Sequence, residues 1–145
     1  MRRATAWAGA ATTVVASALV LAPAAQAAER FQVELVDRQV FDADTGTFTS
    51  NIPGCTTGES FTLRGMVADR AGVFRGTREF VCDSGVGSVT VNLSARFGEG
   101  GSVGTWSIVA ATGDLSGAHG AGKLSGTPIE GGISDAYTGT VTVTG

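Results

Sequence analysis

Residues 88–97 read Ser-Val-Thr-Val-Asn-Leu-Ser-Ala-Arg-Phe, so apolar and polar side chains alternate over ten positions. An alternation with a period of two is typical of a strand with one buried face, because successive side chains of a strand point to opposite sides of the sheet. The valines and the threonine are β-branched, which suits a pleated surface better than a helix. This stretch therefore predicts a β-strand that covers a core with its apolar face.

The same alternation recurs along the chain. Residues 137–144 (Tyr-Thr-Gly-Thr-Val-Thr-Val-Thr) repeat it, and shorter alternations start at Phe31 and at Phe61, whereas no stretch beyond residue 28 has apolar residues at helical spacing. We expect eight strands, near residues 30–38, 46–51, 60–68, 73–82, 87–97, 104–112, 119–126 and 135–144. An all-β fold with about eight antiparallel strands is predicted. An up-and-down barrel is favoured because closure leaves no unpaired edge, and a two-sheet β-sandwich is the alternative.

The beginning of the chain has the three parts of an export signal. Arg2 and Arg3 give a positive start, an apolar stretch follows, and Ala25-Gln26-Ala27 offers the small side chains that a signal peptidase accepts. We expect residues 1–27 to be a cleaved signal peptide and residues 28–145 to be one all-β, barrel-like domain that is secreted to the extracellular space. No second apolar stretch reaches the about 20 residues of a spanning helix, so we expect no membrane span after cleavage.

Cys55 and Cys82 are the two cysteines of the chain. Outside the cytoplasm a pair of thiols normally becomes a disulfide, and we expect that bond here. A reactive or metal-binding thiol pair is the alternative, but neither cysteine has a neighbouring Cys or His.

Composition and motifs exclude several functions. The net charge of −3 without a basic run argues against nucleic acid as a partner. His119 is the single histidine and lies in Gly117-Ala118-His119-Gly120, so we expect an exposed imidazole on a turn and no catalytic residue. Asp42 and Asp44, with Asp37, are candidate calcium ligands, but the later ligands of a calcium loop are missing. We therefore expect no metal and no cofactor.

The faces expected to point inward are apolar and carry no ionisable group. They comprise Phe31, Val33, Leu35, Phe61, Leu63, Val89, Val91, Leu93, Val141 and Val143. An eight-stranded barrel is either filled by such side chains or opens enough to hold one small ligand, and a filled core is the simpler expectation. If a cavity exists, the candidate ligand-facing residues are Phe61, Leu63, Val91, Leu93, Trp106 and Tyr137.

Residues 106–126 contain Leu-Ser-Gly twice, at 115–117 and 124–126, with Gly120 and Gly122 between. This pattern resembles the W…GTG…G…G-x-G hairpin of allene oxide cyclase and dirigent-like barrels. It is more similar still to small secreted bacterial proteins of that class, whose function is generally unassigned. Residues 80–85 and 133–141 share the resemblance, which covers roughly residues 80–145. It implies a β-barrel, and no catalytic residue of the plant families is matched.

Three functions follow as hypotheses. The first is a non-catalytic secreted barrel that binds a small hydrophobic ligand or an extracellular surface. The second is a cyclase- or isomerase-like enzyme acting on a lipid-like substrate by positioning. A cavity that holds a buried carboxylate, or the Tyr137 hydroxyl beside ordered water, would favour the second. The third and weaker hypothesis is a protease inhibitor that presents a loop from Arg70 to Arg75.

Overall fold

The computed structural model describes residues 28–68 and 72–144, which form a closed barrel of antiparallel strands connected in sequence order. The eight strands are β1 (Glu29–Val40), β2 (Thr45–Ser50), β3 (Thr57–Ala68), β4 (Val73–Cys82), β5 (Ser88–Gly98), β6 (Gly101–Ala111), β7 (His119–Ile129) and β8 (Gly132–Val143). β8 closes the barrel by pairing with β1 along its full length. The eight strands are confirmed, and the barrel is confirmed over the sandwich.

Among the described residues, the remaining regular element is a 3₁₀ turn at Gly113–Leu115, between β6 and β7. In the part of the chain that the structure describes, no helix is long and apolar enough to cross a membrane. The expected signal peptide, residues 1–27, lies outside the described residues.

The two ends of the barrel are built differently. At one end, which we call the open end, short turns at residues 41–44, 99–100 and 130–131 join successive strands. At the other end, which we call the filled end, the connections are residues 51–56, 83–87 and 112–118. The longer connections of the filled end fold over the barrel, and they contribute the buried side chains of Ile52 and Leu115 to the core.

The filled end holds a conventional apolar core. Phe48, Phe80, Tyr137 and Trp106 form a row of edge-to-face rings across the interior, with successive centroids 5.4, 5.3 and 6.3 Å apart. The disulfide between Cys55 and Cys82 ties the β2–β3 connection to the end of β4. The space left among these side chains is only about 40 Å³. This half of the barrel is therefore packed by its own side chains.

The glycines of β7 and β8 let Trp106 lie against the barrel wall. Gly122 faces Trp106 on β6 and Gly139 on β8, and a Cβ at Gly122 would strike the backbone of Thr138 and Gly139. The indole Nε1 donates hydrogen bonds to the carbonyl oxygens of Lys123 and Thr138, at 3.0 and 3.2 Å. The repeated glycines of this segment thus serve close strand packing.

On β3 the predicted inward face is wrong. Leu63 is 53% exposed and Phe61 shares its outer face, whereas Ser60 and Thr62 point into the barrel. Alternation identifies the two faces of a strand without saying which one is inside, and a shift of one residue exchanges them. The polar face of β3 is inside because it supplies hydrogen-bond partners to a buried arginine.

Candidate functional site

A charged cluster lies inside the barrel, which corrects the expectation of an interior without ionisable groups. Asp37 on β1 and Arg78 on β4 form an ion pair with 2.5 Å between Oδ2 and Nε, and their side chains are 0% and 3% exposed. β1 and β4 are not neighbours in the sheet, so this pair spans the interior of the barrel.

The ion pair is embedded in further hydrogen bonds. Ser60 Oγ donates to Asp37 Oδ1 at 2.5 Å. Arg78 donates through Nη1 to Thr62 Oγ1 at 2.6 Å and through Nη2 to Ser60 Oγ at 2.7 Å. Gly46 makes room for this arrangement, because a Cβ there would lie 2.8 Å from Nη2 and 2.7 Å from Ser60 Oγ. A buried pair satisfied in this way is neutral overall and held in one geometry.

Asp135 on β8 is a second buried carboxylate beside this pair. Its Oδ2 accepts a hydrogen bond of 2.5 Å from Gln39 Nε2, and its side chain is buried. The pKa of Asp135 is raised to about 6, first because burial disfavours the charged form and second because of the charge of Asp37, against the opposing effects of Arg78 and Gln39. The charge of Asp135 therefore changes near neutral pH, unlike that of a carboxylate in water.

A cavity of about 440 Å³ opens above this cluster at the open end. Its polar floor includes Gln39, Thr62, Arg78, Ser102 and Asp135, and its wall is apolar. The wall comprises Val40, Phe41, Phe74, Leu93, Ala95, Phe97, Leu124 and Ile133, and the remaining lining residues are Asp44 and Thr77. Ligand pockets in proteins typically span about 300–1,000 Å³ and combine apolar walls with a few polar groups, as this cavity does.

Tyr137 belongs to the aromatic row and lies close enough to the charged cluster to be affected by its charges. Its hydroxyl is fully buried and has no hydrogen-bond partner among the described residues. Desolvation raises the pKa of Tyr137 well above its ordinary value, and the charges of Asp135 and Asp37 add to this while Arg78 opposes it. The phenol is therefore a neutral group at physiological pH.

Comparisons with protein-family models, with curated proteins and with solved structures found no significant match. The resemblance to allene oxide cyclase and dirigent-like barrels therefore stays a prediction.

The candidate ligand-facing residues separate into three groups. Leu93 lines the open cavity, and Val91, Trp106 and Tyr137 are buried in the filled half. Phe61 and Leu63 lie on the outer wall, as described above. The sequence predicted Asp37 only as a calcium ligand, and it did not indicate Arg78 or Asp135 as interior groups. Continuing the alternation of β1 and β8 toward the open end nevertheless places both carboxylates inside.

The other candidate residues lie in different parts of the barrel. His119 is exposed at the start of β7, with Nδ1 3.2 Å from the carbonyl oxygen of Gly117. Asp37 is engaged by Arg78, while Asp42 and Asp44 lie in the β1–β2 turn. Within residues 28–68 and 72–144, no group of three or more His, Cys, Asp or Glu side chains could hold a metal ion. Arg70, from the proposed inhibitor loop, lies outside the described residues.

Proposed function

We propose that this chain is a secreted, non-catalytic barrel that binds a small, mainly hydrophobic molecule in the cavity at its open end. The observation that carries the proposal is the contrast between the two halves of one interior: about 40 Å³ of space at the filled end and about 440 Å³ at the open end. Unfilled interior space costs stability, so a well-packed barrel with one open half favours a ligand there.

The mouth of the cavity supports an apolar ligand. Phe41 and Phe97 are 61% and 45% exposed although both line the cavity, and Phe97 packs edge-to-face on Phe74 with ring centroids 5.0 Å apart. Large exposed apolar side chains that surround an opening mark a binding surface more often than scattered ones do.

Secretion is supported by two independent features. Residues 1–27 have the pattern of an export signal. The disulfide between Cys55 and Cys82 is consistent with an oxidising compartment. The resemblance of residues 80–145 to small secreted barrels agrees with both.

A cyclase- or isomerase-like enzyme is the second candidate, and one observation favours it. Asp135 is a buried carboxylate in the cavity with a pKa of about 6, which is suited to general acid or base catalysis near neutral pH. An enzyme would release a changed product from a bound lipid-like substrate, whereas a binding protein would return its ligand unchanged.

The proposal is tested by calorimetric titration of the protein with 1-octanol, an uncharged apolar probe. Ala95→Phe fills the cavity from its wall, and Ala110→Phe adds the same ring to the exposed side of β6 as a matched control. We expect Ala95→Phe to weaken binding at least about tenfold while Ala110→Phe binds like the wild type. Equal binding by both variants, or no binding by the wild type, would contradict the proposal.

Native mass spectrometry of protein secreted into the culture medium complements the titration. We expect a mass lacking residues 1–27 and, in gentle conditions, an adduct of one small molecule that Ala95→Phe does not carry. Mass analysis of the released compound before and after incubation distinguishes binding from turnover.

A further inference from the structure

We infer that the cavity takes a cationic amphiphile, a protonated amine on an apolar body, with the ammonium group seated at Asp135. This inference rests on the binding function proposed above and adds the chemical class of the ligand. It depends on the charge balance of the cavity, on the position of one carboxylate and on the apolar wall above it.

The charge balance leaves one carboxylate without a counterion. Arg78 is the sole cationic side chain among the described residues that line the cavity, and its Nε is bonded to Asp37. The negative charge of Asp37 and the positive charge of Arg78 therefore cancel. Asp135 is hydrogen-bonded to the neutral side chain of Gln39, which supplies no positive charge, and Asp44 adds a second negative charge to the lining.

The groups that face Asp135 do not supply the missing positive charge. Asp37, Arg78 and Tyr137 act on it electrostatically, and of these Arg78 alone is cationic. A buried carboxylate without a counterion is costly, and a ligand cation would remove that cost.

The position of Asp135 Oδ1 suits an ammonium group. Oδ1 lies against Gly126, next to Ser102 Oγ, and a Cβ at Gly126 would strike both oxygens. An ammonium group has three donors and no acceptor, so it matches two neighbouring oxygen acceptors. A ligand carboxylate would instead meet a like charge at short range in a poorly solvated site.

The apolar wall of the cavity indicates that the rest of the ligand is apolar. Leu93, Leu124 and Ile133 stand around the polar floor, with Phe74 and Phe97 nearer the mouth. An alkyl or aromatic body attached to the ammonium group would extend from the floor toward the mouth of the cavity and cover these side chains. A small hydrated cation such as sodium would leave them exposed.

The test is calorimetric titration, at one ionic strength, of protein expressed from its full 145-residue sequence. The probes are n-octylamine, 1-octanol and octanoate, which share one apolar chain and differ in charge. At about pH 7.5 we expect octylamine to bind at least about tenfold more tightly than 1-octanol, and octanoate to bind most weakly. At about pH 5 the carboxyl of Asp135 is protonated while the amine keeps its charge, so the preference for octylamine should fall below about threefold.

Asp135→Asn removes the charge and keeps the shape of the side chain, and Asp114→Asn makes the same change in the exposed 3₁₀ turn at the filled end. We expect the first variant to weaken octylamine binding at least about tenfold and 1-octanol binding less than about threefold, and the second to change neither. If Asp135→Asn does not fold, the affinities of the wild-type protein for the three probes at the two pH values test the inference instead.

The outcomes separate the two proposals. Equal affinity for octylamine and 1-octanol at about pH 7.5, or tighter binding of octanoate, overturns the cationic ligand and leaves the binding function standing. Failure of all three probes to bind overturns both.

Discussion

Asp37 on β1 and Arg78 on β4 are joined across the barrel interior by a 2.5 Å ion pair, although two strands separate them in the sheet. The pair lies between the aromatic row of the filled end and the cavity of the open end. It gives the cavity a polar floor and fixes Ser60 and Thr62 in hydrogen-bonding positions. This ion pair therefore lies at the boundary between the filled half and the open half of the interior.

Removing one partner of the ion pair should be strongly destabilising. Arg78→Met leaves the carboxylate of Asp37 buried and unpaired, and we expect the free energy of unfolding to fall by about 3–5 kcal/mol. Urea denaturation followed by tryptophan fluorescence measures this change.

The double variant Asp37→Leu/Arg78→Met is the control. It removes both charges together, so it should lose less than half as much stability as Arg78→Met alone. If the double variant were less stable than Arg78→Met, the ion pair would make a net favourable contribution to the free energy of unfolding.

Asp135 should make the protein less stable as the pH rises. Its pKa is raised from 3.8 to about 6 in the folded state, so the folded state holds the proton more tightly than the unfolded state does. The resulting stabilisation is complete below about pH 4 and is lost as the pH rises through about 6, by up to about 3 kcal/mol.

Asp135→Asn has no such proton to lose. The stability of the variant relative to the wild type should therefore increase between about pH 4 and pH 7.5, by up to about 3 kcal/mol. Urea unfolding of both proteins at the two pH values gives this difference, and parallel pH profiles would contradict it.

Tyr137→Phe should not harm the fold. The hydroxyl is buried without a hydrogen-bond partner among the described residues, so its removal relieves a desolvation cost while the ring keeps its contacts with Phe80 and Trp106. We expect the melting temperature to rise, with a gain of about 1 kcal/mol in the free energy of unfolding. A loss of that size would reveal a bonded hydroxyl, for example to buried water.

The disulfide should stabilise the barrel without determining its topology. Cys55 and Cys82 are 27 residues apart in sequence, and opening a loop of this length costs about 3–4 kcal/mol on the chain-entropy account. The variant Cys55→Ala/Cys82→Ala should unfold at lower urea concentration and keep the β-sheet circular dichroism spectrum of the wild type. A variant with no sheet signal in the absence of urea would show that the barrel requires the bond.

The fold could be predicted from the sequence because most strands alternate cleanly. Val33 and Leu35 on β1, and Val91 and Leu93 on β5, are buried as their pattern predicts. Regular spacing of eight such segments with Gly- and Asp-containing turns is enough to indicate an antiparallel β-fold. Closure into a barrel depends on the pairing of β1 with β8, a contact between the chain's ends that local pattern does not contain.

The charged floor could not be predicted in the same way. Alternation assigns apolar side chains to the inside, and Arg78 and Asp37 break that rule because each satisfies the other across strands that are far apart in sequence. The orientation of β3 agrees with this pairing, since Ser60 points inward and hydrogen-bonds to both Asp37 and Arg78. A polar residue at a position that continues the inward face of a strand, such as Asp135 on β8, is the sequence pattern that indicates a buried polar group.

The central claim is that the ligand occupies the open half of the barrel and leaves the filled half unchanged. Titration of ¹⁵N-labelled protein with 1-octanol, followed by amide chemical shifts, tests it directly. We predict saturable shifts at Gln39, Phe97 and Ile133, with Val33 and Val141 at the filled end unmoved. Shifts concentrated at Val33 and Val141, or no saturable shift at any residue, would contradict the account.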